Sequence, residues 1–219
     1  MLTYEQIKQN AQVNTYIREA NDILGELGFT EHSFAHVTKV AQSAGYILEQ
    51  LGYSERDIEL AKIAGYMHDI GNIINRVDHA QSGALMAFRI LDHLDVDPHE
   101  TALIVSAIGN HDEHTAMPIN HITAALIIAD KSDVRSSRVR SFRPDAFDIH
   151  DSVNYSVKKS SLDVFKDEKM IRLSLVIDTE ISSVMDYFEI FLVRMKLCKA
   201  ASAKLGMVFE LEINGQRLT

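Results

Sequence analysis

The sequence predicts a mainly α fold: a helical bundle over residues 1–158, followed by a small C-terminal ββαβ appendage over 159–219. Three observations predict it. Apolar residues recur at spacings of three and four through six successive segments. Capping residues and glycines separate those segments, while prolines number only 3 in 219 residues. Strict alternation of apolar and polar residues appears only late, in "MIRLSLVID".

The first helix is expected over 3–27. Thr3 is its N-cap, Gln6 completes a capping box, Val13, Ile17, Ala20, Leu24 and Leu27 form the apolar stripe, and Gly28 ends it. The second covers 34–51, with Val37, Val40, Ala44, Ile47, Leu48 and Leu51 facing inward and Gly52 as the stop. Ser54 caps a third, 55–70, with Asp57 at its third position. A loop over 71–78 leads to a fourth helix, 79–93, through Ala84, Ala87, Phe88 and Leu91. Asp97-Pro98 opens a fifth, because Asp at the cap and Pro in the first turn is a favoured start, and it runs to about residue 110. After a loop with Pro118, a sixth takes 119–133, with "AALIIAD" at its buried centre.

Beyond Pro144 the pattern changes. Asp148–Lys159 is expected to form one short helix. "SLDVF", the turn "KDEK" and "MIRLSLVID" then read as a hairpin, with Ile171, Leu173, Leu175 and Ile177 on one face. A long helix follows over 182–205, and "MVFELEING" is the last strand. Such a small sheet is marginal without further packing. It is expected to dock on the helical bundle, on a second chain or on both, and a homodimer using the appendage is the expected solution.

The formal charge, 22 − 31 = −9, disfavours broad binding to nucleic acid or to an anionic membrane. The single cysteine, Cys198, excludes a disulfide framework or a cysteine-based zinc site and reads as a buried helix thiol. The N-terminal "MLTYEQIKQN" has no apolar run and no basic region, and no segment reaches the ~20 apolar residues of a membrane span, so a cytoplasmic protein is expected.

Histidine is abundant, at 10 residues. His93, His99, His121 and His150 fall in polar or terminal contexts and are expected at the surface. His36, His68-Asp69, His79, His111 and Asp130 instead lie at or near helix ends or in an apolar helix. Each alone reads as a cap or a satisfied polar residue. "AGYMHDIGN" presents the sharper problem. A carboxylate in the last turn of a helix meets the negative end of the helix dipole and, if buried, loses its hydration. A cation would compensate it, and nitrogen with carboxylate donors, without thiolate, suits first-row divalent metals. Periodicity does not by itself bring the six together.

"HVTKVA", "AGYMHDIGN", "HAQSGA", "NHDEH" and "IIADKSDVRSSR" together resemble the HD-domain superfamily of metal-dependent phosphohydrolases, over about 32–140. The resemblance implies an HD-domain helical bundle in which His36, His68, Asp69 and Asp130 bind one divalent metal. His79 and His111 are the extra pair of two-metal members, with Asp69 bridging. The metal could be Mn, Fe, Co, Ni or Zn. His32, one turn before His36, is expected to support the ligands from outside. "HDIGNI" places Asn72 and Ile73 where alarmone hydrolases carry Glu and Asp, and "NHDEH" lacks the paired histidines and following Gly-Tyr-Pro segment of cyclic-di-GMP hydrolases. The pattern is most similar to bacterial two-metal hydrolases of the diadenosine tetraphosphatase type.

That resemblance implies attack by a metal-activated hydroxide on a phosphoester or phosphoanhydride of a small nucleotide-like substrate, with Asp69 and Lys131 in the catalytic machinery. Residues 131–143 hold Lys131, Arg135, Arg138, Arg140 and Arg143 against Asp133 alone, a local charge of 5 − 1 = +4. Lys131 and Arg135 are the candidate phosphate contacts, with Arg76 as a weaker one. Two rival readings use the same ligands: a di-iron oxygenase of the same fold, and a metal-stabilised interaction module.

Overall fold

The computed structural model describes residues 1–140 and 149–218. The chain begins with α1 (Tyr4–Lys8), whose capping box joins Thr3 and Gln6 as expected. The predicted long first helix is broken, however. The side chain of Asn10 accepts from the Val13 amide and starts a separate α2, Ala11–Glu26. Asn competes for backbone hydrogen bonds in this way, and periodicity alone does not register it. α3 (Phe34–Leu51) ends at Gly52, whose φ of 83° is the left-handed cap that glycine allows.

α4 spans Glu55–Met67, three residues shorter than the expected 55–70. A 3-10 turn, Ile70–Ile73, follows it. Asp69 therefore precedes that turn instead of extending the last turn of α4. α5 (His79–His93) and α6 (Pro98–Gly109) match the expected bounds closely. α7 is shorter than predicted, His121–Lys131, because Asn120 caps it by accepting from the Thr123 amide. α8 (Ile149–Ser156) gives way directly to β1 (Val157–Phe165), so the expected helix to 159 is overrun by strand; Asp148 lies outside the described residues.

β2 (Met170–Ile177) pairs antiparallel with β1. α9 (Val184–Lys204) then crosses to β3 (Val208–Ile213), which pairs parallel to β2. A short β4 (Gln216–Arg217) closes the order β1-β2-β3-β4, where three strands were expected. Its signal was present: Asn214-Gly215 takes positive φ at both residues, the hairpin turn this dipeptide favours.

Apolar packing joins the two regions. Ile171, Ala201 and Met207 belong to the core of the helical bundle, and Val134 and Val153 belong to the core between α9 and the sheet. α9 lies against α7. The appendage is therefore docked on its own bundle. On α9, Met185 and Leu192 are exposed, whereas Ile190 packs against the sheet core. Among the described residues no helix is long and apolar enough to cross a membrane.

Candidate metal centre

The ends of α3, α4, α5, α6 and α7 meet at one point. α3 contributes His36 from its first turn, and the segment closing α4 contributes His68 and Asp69. α5 begins with His79, His111 follows α6, and Asp130 is next to last in α7. All are buried except Asp130, whose side chain is 12% exposed.

The rings are locked from behind. His68 Nδ1 donates to the Gly65 carbonyl at 2.8 Å, His79 Nδ1 to the Arg76 carbonyl at 3.0 Å and His111 Nδ1 to the Ile108 carbonyl at 2.6 Å. His36 Nδ1 sits 2.8 Å from the Asp133 carboxylate. With Nδ1 bound outward, each Nε2 is left facing the centre, the arrangement that outer partners impose on metal-binding histidines.

Asp69 divides these rings into two sets. Its Oδ2 lies 3.1 Å from His68 Nε2 and 3.6 Å from His36 Nε2. Its Oδ1 lies 3.5 Å from His79 Nε2 and 3.9 Å from His111 Nε2. Asp130 Oδ1 completes the first set, 3.4 Å from His36 Nε2 and 3.7 Å from His68 Nε2. In the second set the two Nε2 atoms of His79 and His111 face each other at 3.3 Å. Both rings donate through Nδ1, so two lone pairs converge there.

These residues fit divalent metal ions. His36 Nε2, His68 Nε2 and Asp69 Oδ2 are buried without any hydrogen-bond partner, which is costly for polar atoms unless a cation sits among them. His36, His68 and Asp130 form one group with metal-ligand spacing, and His68, Asp69 and His111 form a second.

The field of the site keeps its carboxylates charged. Burial pushes Asp69 up, but His68, His32 and His36 together hold it well below the ordinary carboxylate range. Burial acts likewise on Asp130, where Lys131 and His36 prevail and hold it down. Burial lowers His36, and so does Arg138, yet Asp130, Asp133 and Asp69 raise it to about 9. Burial, then His68, Lys131 and His79, push His111 down to about 3.

A pH dependence follows from His36. In the metal-free protein its ring holds a proton up to about pH 9. A metal must displace that proton, so affinity should rise with pH up to about 9. Below it, one displaced proton lowers the apparent binding constant about tenfold per pH unit. Calorimetric titration at several pH values checks this; an affinity unchanged between pH 6 and 8 would contradict it.

Three supporting residues were not recognised in the sequence. Asp133 was counted only as an acid among cations. It is fully buried, faces His36 and is held by Lys39 Nζ at 3.0 Å and Arg135 Nε at 2.9 Å. Its position three residues after Asp130, in "ADKSD", was the available signal. Asp133→Asn should weaken metal binding about 10- to 100-fold, the usual effect of losing an outer partner of a ligand. Metal analysis after dialysis reads it. Asn72 donates to Asp69 Oδ1 at 3.0 Å and fixes the carboxylate. Arg138 is buried and donates to the Asp133 and Glu31 carbonyls. His32, expected as a support, stands with its Nε2 4.0 Å from Asp69 Oδ2 and its Nδ1 on the Thr30 carbonyl.

The cations divide. Lys131 lines the cleft above the centre and pairs with Asp130 Oδ2 at 2.7 Å. Arg76 also lines it, donating to Asn72 Oδ1 at 3.2 Å with the same nitrogen 3.4 Å from His79 Nε2. Arg135, expected as a phosphate contact, is not among the cleft residues; Asp133, Glu31 and Ser137 hold it. Arg140 is tied to Phe29 and Asn21, and Arg143 lies outside the described residues. Cys198 is buried, its thiol pushed up to about 12 chiefly by burial, as expected for an inert core residue. His121 is held by Asp57 Oδ1 at 2.9 Å instead of standing free at the surface.

The cleft measures about 690 Å³. Asp69, His79, His111 and Asp130 form its floor, and Phe191 and Arg194 of α9 reach it from the appendage.

Residues 33–136 match the family model for the HD domain. The chain is 24% identical over 202 residues to an uncharacterized protein of Methanocaldococcus jannaschii, an alignment covering 82% of this chain and 77% of that one. It is 34% identical over 121 residues to ribonuclease Y of Lawsonia intracellularis, covering 52% of this chain and 21% of the relative. Against ribonuclease Y 1 of Pediococcus pentosaceus the figures are 27% over 137 residues, 59% and 24%. The aligned region thus spans 21% and 24% of the two ribonucleases. A crystal structure of a predicted HD superfamily hydrolase from an uncultured Thermotogales bacterium is 25% identical, with a TM-score of 0.46 over 62% of this chain and 76% of that one.

Proposed function

Because this protein belongs to the HD-domain superfamily of metal-dependent phosphohydrolases, we propose that it is a two-metal member acting on a small nucleotide-like phosphoester or phosphoanhydride. One observation carries the reading. The two oxygens of Asp69 serve different histidine sets, His36 and His68 on one side and His79 and His111 on the other. A carboxylate so placed would serve as a ligand on both sides, with His36 and His68 holding one cation and His79 and His111 a second. Ions bound there would lower the pKa of a coordinated water and polarise a phosphoryl oxygen.

The chain's own groups supply the rest. Asn72 fixes the Asp69 carboxylate by donating to Oδ1. Arg76 and Lys131 place positive charge on the walls of the cleft, within reach of an anionic substrate. Lys131 is held by Asp130, so a phosphate must compete with that carboxylate or share the ammonium with it.

A short substrate is favoured over a long nucleic acid. The net charge is −9, and Asp69, Asp112, Asp130 and Glu113 lie within the same cleft as the cations. Likeness to the ribonucleases supports phosphoester chemistry on a nucleotide.

The test is an assay of the protein loaded in turn with Mn, Fe, Co, Ni and Zn. Nucleoside monophosphates, dinucleoside polyphosphates, short oligonucleotides and generic phosphoesters are offered. Metal-dependent release of phosphate or nucleotide, abolished by a chelator, is the expected result. Inactivity on every phosphoester with every metal would overturn the proposal.

A further inference from the structure

One wall of the cleft differs from the rest. Leu27, Phe29 and Val77 line it, and they are 60%, 41% and 73% exposed, beside a floor built from carboxylates and histidines. Phe29 is the aromatic member. The Arg76 guanidinium lies over its ring, 5.7 Å from the centroid. The same guanidinium reaches the metal floor, with Nη1 3.4 Å from His79 Nε2. One arginine therefore links a partly exposed aromatic ring to the proposed reaction centre.

We propose that Phe29 is the platform on which the base of a nucleoside substrate stacks, with Arg76 as the hinge between base and phosphate. The proposal rests on the phosphohydrolase reading of the metal floor. Every nucleobase offers a flat π face, and an aromatic ring beside a cationic groove recognises bases without reading their edges. Arg76 suits the junction, since a guanidinium stacks on flat groups through its face and donates to phosphate from its edge. Leu27 and Val77 extend the apolar contact around the base. A phosphate held on the floor and a base held on the wall would place a nucleotide across the cleft. A phosphoester without a base would use the floor alone.

The test compares the binding of adenosine monophosphate and ribose 5-phosphate to the metal-loaded, full-length protein. Adenosine monophosphate should bind about tenfold or more tightly in the wild type, the scale of one stacked base. Phe29→Ala should remove that advantage, leaving ribose 5-phosphate binding and metal content unchanged. Phe29→Trp should keep it. It also installs the chain's only tryptophan, since the sequence has none, and its fluorescence should be quenched by adenosine monophosphate and not by ribose 5-phosphate. If ribose 5-phosphate binds and adenosine monophosphate gains nothing over it, or if Phe29→Ala retains the gain, the platform is overturned while the phosphohydrolase reading stands. If ribose 5-phosphate itself fails to bind, the phosphate-binding floor on which the proposal rests falls with it.

Discussion

Asp69→Asn should strip metal from both halves of the centre and lower hydrolysis by about 10³-fold or more, at least the scale of removing one group that stabilises transition-state charge. The substitution keeps shape and burial but removes the charge and half of the oxygen donors. Both losses matter, since Oδ2 faces His36 and His68 while Oδ1 faces His79 and His111. His79→Ala should weaken only the second set, so the two variants together separate a bridging ligand from a terminal one. Circular dichroism should show the fold retained in Asp69→Asn. Its melting temperature should fall at neutral pH, because Asp69 has a depressed pKa in the folded state. A group of that kind contributes stability above its unfolded pKa, near 4, and loses it as pH falls through the folded value. The stability gap between wild type and variant should therefore close in acid. Metal analysis and an assay of the purified variant decide the main point; full metal content with near-normal turnover would remove Asp69 from the bridging role.

The six residues of this centre were brought together by the resemblance to the HD-domain superfamily and not by periodicity, although several of them also lie at helix ends, which have chemical signatures. His79 opens a helix, His68 closes one, and His111 follows the glycine that ends another. What could not be read was anything depending on contact between distant segments. Arg135 looked like a phosphate contact from its spacing to Asp130, yet Glu31, more than a hundred residues earlier, shares it with Asp133. Asp133 itself looked like an ordinary charge in a basic run until its burial against His36 was seen. The break at Asn10 and the short β4 were written in local residues, Asn10 as a cap and Asn214-Gly215 as a turn, but apolar periodicity outweighed them. Phe191 and Arg194 on α9 carried no local signal of reaching the cleft. Their place there depends on how α9 docks on α7, a tertiary fact.

Gly71→Ala should be among the most damaging single-methyl changes in the chain. Gly71 does not need a left-handed backbone; it needs space. A Cβ there would stand 2.0 Å from the His79 carbonyl oxygen and 2.4 Å from the Gly83 nitrogen, and both are backbone atoms that cannot rotate away. Gly83 answers it from α5, where an added Cβ would itself come within 3.2 Å of the Gly71 nitrogen. The pair lets the 3-10 turn Ile70–Ile73 lie directly on the start of α5, and so sets the distance from Asp69 to His79. Overpacking typically costs 1–3 kcal/mol and sometimes more, and a clash with the backbone of α5 at two residues belongs at about 3 kcal/mol or above. For a chain of this size that lowers the melting temperature by roughly 6–12 °C. The second effect is functional. Forcing the turn away from α5 should open the His79 and His111 side of the centre first, so the variant should lose metal there while His36, His68 and Asp130 still hold theirs. Gly109→Ala is the control: its Cβ would meet only the Ala84 Cβ, at an ordinary 3.5 Å, and it should leave both melting and metal content near wild type. Equal melting temperatures and equal metal contents for the two variants would show that the contact between the turn and α5 does not set the geometry of the site.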